Sequence, residues 1–178
     1  SVISPNKPAE SGHNKPKPYI VERGSNQCYS YFPPTNSATP LLAGIDDGSS
    51  GIINLPFGFC FYGTVYNSLY INTNGNVTFA NPSSAFSATG FPTSSGNPRI
   101  APFWADVDFS DPRTGSCYYE IFTDAIVIHW KDAGYYETHG DKLNSFMLIL
   151  TDGNSSMLSS GNNVGFFYGD MAWTTGDS

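Results

Sequence analysis

Three carboxylates within six positions of one another offer the most specific chemistry in this sequence: Asp106, Asp108 and Asp111. Strand alternation would place Asp106 and Asp108 on one face, with their Cα atoms roughly 6.5 to 7 Å apart. Because calcium prefers oxygen ligands, the three form a candidate calcium site. Two other roles stay open for them, namely ion pairs with Arg99 or Arg113, and capping of the turn that begins at Asp111.

Paired carboxylates would also serve a hydrolase, with Asp106 and Asp108 as general acid and base. Such a pair needs surroundings that push the two pKa values apart, whereas two residues on one strand face share similar surroundings. The sequence has no nucleophile elbow, no H-E-x-x-H zinc motif and no glycine-rich phosphate loop. His129 and His139 lack the paired spacing of metal ligands. The sequence therefore predicts no enzymatic activity, and a secreted hydrolase is the second alternative function.

Aromatic side chains form the other candidate binding surface. Trp104, Tyr135 and Tyr136 are candidates for stacking on a sugar ring, so a carbohydrate-binding module is the first alternative function. In secreted β domains such tyrosines more often lie at core edges or in cross-strand pairs. Two sequons, at Asn76 and Asn154, would carry glycans in a eukaryotic source. Asn76 adjoins a tight turn, and we expect its side chain to be exposed.

The cysteine pattern is compatible with one disulfide and one spare thiol. Cys28, Cys60 and Cys117 match neither a metal-binding spacing nor a dense disulfide scaffold. A bridge between Cys28 and Cys60 would tie the N-terminal part of the chain to the sheet, with a few kcal/mol of stabilisation typical for such a loop.

Composition predicts the fold class. Aromatic residues make up 15% of the chain and charged residues 13%, with 18 glycines and 13 prolines, which is typical of extracellular all-β domains with many turns. No stretch keeps helical periodicity over three turns without a breaking residue. We expect eight to eleven strands in an all-β, antiparallel β-sandwich or barrel-like two-sheet domain with long loops and little helix.

Four local patterns predict particular elements. Asn74-Gly75 predicts a type I′ hairpin turn, and Asp46-Asp47-Gly48 predicts a turn rather than a ligand set. The runs 117–122 and 125–131 predict a second hairpin. Alternation over 103–109 predicts a half-buried strand, in which Phe103, Ala105, Val107 and Phe109 face the core and Trp104 lies on the carboxylate face.

Charge and length bound the partners and the domain organisation. Residues 1–18 are proline-broken and polar, which predicts an arm or linker, and residues 19–178 fit a single domain. The net charge is −7, and from residue 24 onward there are 13 acidic against 4 basic residues. This balance argues against nucleic acid or an anionic membrane as partner. No apolar run approaches the roughly 20 residues that cross a bilayer.

Several motifs in the right order resemble the nidogen-like domains of nidogen, tectorin-type matrix proteins and large bacterial surface proteins. The resemblance implies a non-enzymatic, extracellular adhesion or structural module of a larger surface, fibre or matrix protein. Its expected partners are other extracellular or surface proteins, with glycans as a further class. The motifs are Leu55 to Gly63 (LPFGFCFYG), Tyr70 to Phe79 (YINTNGNVTF), Ile100 to Asp108 (IAPFWADVD), Gly165 to Tyr168 (GFFY) and Trp173 to Asp177 (WTTGD).

The resemblance also bears on the end of the sequence. Similar domains continue beyond the Trp-Thr-Thr-Gly-Asp segment into further β structure, so we expect residues 19–178 to lack their C-terminal strand. A sheet without that strand would expose unpaired backbone groups, which favours completion by a missing C-terminal segment or self-association into fibres.

Overall fold

The computed structural model describes residues 30–90 and 96–175, in which every regular element is a β-strand. The predicted all-β class is therefore confirmed, while the predicted arm at 1–18 lies outside the described residues. The strands are β1 (Thr39–Leu41), β2 (Ile53–Phe61), β3 (Thr64–Asn72), β4 (Asn76–Thr78), β5 (Arg99–Ile100), β6 (Val107–Asp108), β7 (Ser116–Ile121), β8 (Ala125–Tyr135), β9 (His139–Thr151) and β10 (Val164–Met171).

The ten strands form two antiparallel sheets. The larger sheet has the order β1-β7-β8-β9-β10, with β6 paired to β8, and the smaller has the order β2-β3-β4-β5. Neither sheet closes on itself, so the fold is a two-sheet arrangement rather than a barrel. The described residues include no helix that is long and apolar enough to span a membrane.

One apolar core joins the facing sides of the two sheets. In β2, every second side chain from Ile53 to Phe59 is buried, as strand alternation requires. In the larger sheet, Trp130 of β8 stacks on Phe146 of β9 with ring centroids 5.2 Å apart. Both belong to the same buried cluster as Ile53 and Phe59, so the two sheets are held together by apolar burial.

The predicted hairpin at 117–131 is confirmed. Strands β7 and β8 pair from Ser116↔Lys131 to Ile121↔Ile126. The Phe122 amide donates to the Ala125 carbonyl at 2.8 Å and closes the turn.

The predicted continuous strand at 103–109 is wrong. Within this segment only β6 is a strand, and the preceding strand, β5, belongs to the other sheet. Pro102 lacks an amide donor, and the Val107 amide donates to the nearby Ala105 carbonyl at 2.9 Å, which bends the chain. Strand alternation consequently fails. Phe103, Trp104 and Ala105 are all half-buried, whereas the four residues from Asp106 to Phe109 are all buried.

The turn between β3 and β4 is tight, but it differs from the predicted type I′ turn. The pairing Asn72↔Asn76 leaves a three-residue loop, in which Gly75 has a φ of 67°. A three-residue hairpin loop commonly ends in a left-handed glycine. A Cβ on Gly75 would lie 1.7 Å from the Phe103 carbonyl oxygen, so this position also requires glycine for space.

Candidate functional site

Three carboxylates converge on one side of the molecule, and we call Asp46, Asp47 and Asp106 the acidic group. One carboxylate oxygen from each lies within 4.8 Å of the others. Asp106 is buried, Asp46 is half-buried and Asp47 is exposed. Asp46 and Asp47 follow β1, whereas Asp106 lies in the bend between β5 and β6. The fold therefore brings together two segments that are sixty residues apart in the sequence.

Asn74, in the β3–β4 turn, holds both of these segments in place. Its amide nitrogen donates to Asp47 Oδ1 at 2.6 Å, and its Oδ1 accepts the Val107 amide at 2.8 Å. The Asn74 side chain is fully buried, so its hydrogen bond with the Val107 amide is shielded from water, while the bond to the exposed Asp47 is partly buried. The Asp106 carbonyl accepts the Tyr136 amide at 3.3 Å, which adds the end of β8 to the same site.

The acidic group concentrates negative charge. The pKa of Asp46 is raised to about 6, first by burial and then by repulsion from Asp108, Asp47 and Asp106. Asp46 Oδ1 is buried and has no hydrogen-bond partner. A cation placed among these oxygens would relieve the repulsion, and hard cations such as calcium take this kind of ligand. The geometry can thus hold such a cation, and calcium binding stays a prediction.

The structure separates the three carboxylates that the sequence grouped as a calcium site. Of Asp106, Asp108 and Asp111, only Asp106 belongs to the acidic group. Asp108 accepts the Ser110 amide and the Thr138 amide, each at 2.7 Å, and so fixes two turns. Its oxygens are therefore committed to backbone donors.

Asp111 has the ion-pair role that the sequence left open. It accepts Arg113 Nε at 2.9 Å and Arg113 Nη2 at 2.7 Å, in a bidentate arrangement. These bonds lower the pKa of Asp111 to about 2. Arg99 does not form the corresponding ion pair with these carboxylates, because its guanidinium lies over the Trp104 ring, with Cζ 3.7 Å from the ring centroid.

The aromatic residues considered for sugar stacking lie in three different settings. Arg99 covers one face of Trp104, whose indole nitrogen donates to the Ala85 carbonyl at 2.8 Å. Tyr135 is only 8% exposed, with its ring stacked on His139 at 4.7 Å. Tyr136 is 37% exposed, near the acidic group. The three rings therefore do not share one exposed face.

The glycosylation sites differ from each other in exposure. The expectation that Asn76 is exposed is wrong, because its side chain is fully buried and donates to the Asn74 carbonyl at 2.9 Å. A glycan on Asn76 would have no room in this fold. Asn154 is exposed, so the second sequon is accessible.

The cysteines form no disulfide among the described residues. Cys60 is exposed, and Cys117 is a buried thiol whose pKa is raised by burial. Cys28 lies outside the described residues, so the bridge from Cys28 to Cys60 stays a prediction.

Sequence reasoning missed the roles of two short motifs. Asp46-Asp47-Gly48 was interpreted as a turn in preference to a ligand set, although its two adjacent carboxylates are the signal for a ligand set. Asn74 was interpreted only as a turn former, and its spacing to Asp47 and Val107 gave no sign of the contacts it makes.

Comparison with known proteins identifies the family. Residues 21–177 match the family described as "NIDO related". Alpha-tectorin of Gallus gallus is 28% identical over 172 residues, which cover 82% of this chain and 8% of that protein. Nidogen of Drosophila melanogaster is 28% identical over 160 residues, covering 74% of this chain and 11% of that protein.

A further relative, mucin-4 of Mus musculus, is 26% identical over 166 residues, covering 88% of this chain and 4% of that protein. This chain thus spans only a small part of each of these proteins. No solved structure matches it. Since the family match covers most of the sequence, this chain belongs to the NIDO-related family.

Proposed function

We propose that this chain is a non-enzymatic structural or adhesion module of a larger extracellular protein, at a cell surface or in a fibre or matrix. The observation that carries the proposal is the family match over residues 21–177. Alpha-tectorin, nidogen and mucin-4 are extracellular matrix or cell-surface proteins, and the similar region is a small part of each. A module within a long protein can act by contact and positioning alone, which requires no catalytic site.

Exposed aromatic side chains support protein partners. Tyr62, at the tip of the β2–β3 hairpin, is 91% exposed. Phe166 and Tyr168 are about half exposed on β10. Large aromatic side chains dominate the energetics of protein interfaces when a partner buries them. We therefore propose that other extracellular or surface proteins bind at these positions.

The outer edge of β10 supports association between chains. Among the described residues, β10 pairs with β9 on one side and has no partner strand on the other. An added strand would complete its hydrogen bonds, whether it came from a C-terminal continuation or from a second copy. Completion by a C-terminal segment and self-association were both predicted from the sequence, and both remain proposals.

The two alternative functions have less support. A carbohydrate-binding module would need an open aromatic platform, whereas Tyr135 is buried and Arg99 covers Trp104. A hydrolase that used Asp106 and Asp108 would need both groups available to substrate, but Asp108 is occupied by two backbone amides.

Adhesion can be measured with beads that carry the purified chain. We expect these beads to attach to a decellularised matrix preparation more than uncoated beads do, and protease treatment of the matrix to abolish attachment. Tyr62→Ser and Phe166→Ser, on separate surfaces, should show which face is used. No attachment above uncoated beads would contradict the proposal.

Two further assays separate the alternatives. Binding on a glycan array that Trp104→Ala removes would favour the carbohydrate-binding module. Hydrolysis of ester or glycoside substrates that Asp106→Asn abolishes would favour the hydrolase.

A further inference from the structure

The six-stranded sheet is covered on its outer face, away from the main core. A second apolar cluster lies there, which we call the outer cluster. Tyr31 and Phe32, from the segment before β1, pack against it. Residues 30–37 contain no strand, so this covering segment depends on side-chain contacts. The buried members of the outer cluster are Phe122, Ala125, Val127, Met147, Ile149, Met157 and Leu158.

One titratable residue lies beneath this segment without a polar partner. His129 of β8 is fully buried, and neither ring nitrogen has a hydrogen-bond partner. The Tyr31 and Phe32 rings meet it edge-on, with centroids 6.2 and 5.6 Å away. Its neighbours across the sheet are Tyr118 and Met147. Unpartnered buried polar atoms are rare and costly, so this arrangement calls for an explanation.

A carboxylate on the same sheet anchors the covering segment. Glu120 of β7 accepts the Thr35 amide at 3.2 Å, the Thr35 hydroxyl at 2.8 Å and the Ser37 hydroxyl at 3.2 Å. This anchor lies beyond the Tyr31 and Phe32 rings along the chain. The segment is therefore held at two points, by apolar rings over His129 and by hydrogen bonds at Glu120.

The other charged groups on this face do not neutralise His129. Lys131, two residues along β8, has its ammonium on Asp132 at 2.7 Å. The residues that face His129 are Met147 on β9, Tyr118 on β7 and Tyr31 on the covering segment. The pKa of Tyr31 is raised mainly by burial, and the negative charge of Asp170 on β10 adds to this. None of them gives an imidazolium a hydrogen-bonded counter-ion, because both ring nitrogens lack partners.

We propose that residues 30–37 form an acid-released cover of the outer cluster, and that His129 is the trigger. A charged imidazole cannot remain dry and unpartnered beneath two aromatic rings, so protonation favours the open arrangement. Opening gives the ring access to water and exposes the outer cluster. The device would make a new apolar surface available in acidic surroundings.

The direction of the effect follows from burial. Burial lowers the pKa of His129 from 6.5 to about 4. This difference of 2.5 pKa units means that the covered form binds a proton roughly 300-fold more weakly than an open form with an ordinary histidine. The cover is therefore fully favoured above pH 6.5 and is progressively lost as the pH falls towards 4.

Hydrogen exchange of residues 30–37 tests the proposal, with labelling times corrected for intrinsic exchange at each pH. We expect protection of this segment to fall roughly 50-fold between pH 7 and pH 4.5, while β9 remains protected. In His129→Gln the fall should shrink below about 3-fold, since glutamine does not titrate. His139→Gln, at the other end of the β8–β9 hairpin, is the matched control and should respond as the wild type does.

Three outcomes would overturn the proposal. The first is pH-independent protection of residues 30–37. The second is an unchanged fall in His129→Gln, which would assign the response to Glu120 or another group. The third is parallel loss in β9, which would indicate global unfolding.

A second measurement tests the proposal even if His129→Gln does not fold. The chain has only three histidines, so the His129 ring can be titrated by NMR in the wild-type protein. Titration near 6.5 with the segment still protected would also contradict the proposal.

Discussion

Asn74 shows how much one side chain can organise in this fold. Its amide group links Asp47, on the loop after β1, to Val107, at the start of β6. Neither of those residues lies close to Asn74 in the sequence. The acidic group consequently depends on a buried amide that carries no charge, and a change at Asn74 would displace two of its three carboxylates together.

The raised pKa of Asp46 predicts that replacing this carboxylate with a neutral side chain stabilises the folded protein in a pH-dependent way. Because the folded-state pKa lies above the ordinary value, the ionised carboxylate destabilises the folded state increasingly as the pH rises from 3.8 through about 6. We expect Asp46→Asn to stabilise the protein at pH 7.5 by on the order of 1 kcal/mol, a figure discounted for solvent screening. Urea unfolding in chelator should show this gain, and the gain should vanish at pH 4. Destabilisation at pH 7.5 would contradict it.

Calcium binding predicts a rise in melting temperature. At a calcium concentration of about 100 times Kd the folded state gains roughly 2.7 kcal/mol, or roughly 5 to 10 °C for a chain of this length. Asp46→Asn should lose this response, whereas Asp111→Asn should keep it, since Asp111 is paired with Arg113. The opposite pattern would favour the group predicted from sequence. An identical melting temperature in millimolar calcium and in chelator would rule out the site.

At the scale of elements, the β3–β4 turn positions the bend between β5 and β6. The Phe103 amide donates to the Gly75 carbonyl at 3.3 Å, and the two backbones touch at a position with no room for a side chain. The Phe103 ring then reaches the main core, 5.4 Å from Phe146 and 5.1 Å from Trp173. The β3–β4 turn therefore sets the path of the chain between β5 and β6.

Two glycines with similar backbone angles provide a matched test of this contact. Gly75→Ala should destabilise the protein by more than about 3 kcal/mol, because its Cβ would collide with backbone as well as strain a positive φ. Gly63, in the β2–β3 turn, has a φ of 80° and nothing within 4 Å of an added Cβ. Gly63→Ala should therefore cost only about 1 to 2 kcal/mol. Equal losses in chemical unfolding would show that the contact is unimportant.

Local patterns predicted most of the elements but not their long-range contacts. Alternation and turn residues identified the β7–β8 hairpin, because both depend only on neighbours in the sequence. The same alternation failed at Phe103, where Pro102 and the close approach of Gly75 decide the path. The acidic group was missed for a related reason, since the partners of Asp106 lie sixty residues earlier and meet it only in the folded chain.

For the whole molecule, two of the open sheet edges, those of β2 and β10, differ in what they can accept. The free edge of β2 includes Pro56, which cannot donate to an added strand. Strand β10 contains no proline, and its one charged residue, Asp170, lies where the pairing with β9 is irregular, between Tyr168 and Met171. Proline is a common protection of edge strands, so β10 is the better site for strand addition.

Concentration-dependent association should therefore involve β10. We expect sedimentation velocity to show wild-type chains associating as their concentration rises. Phe166→Lys should keep them monomeric, because a charge on an edge strand disfavours pairing. Tyr62→Lys, at the β2–β3 hairpin tip, is the matched control and should associate as the wild type does. A wild type that stays monomeric throughout would remove self-association through this edge.

The six-stranded sheet has the first and the last strand of the described chain at its opposite edges, which matters for a module under tension. A pull on both ends must cross every ladder between β1 and β10. The ladder of β1 is only three residues long, so we expect it to yield first. Detachment of β1 would release residues 30–41 as about 40 Å of extended chain, while the paired central strands stay intact. The domain would thus lengthen under weak force before its core is loaded.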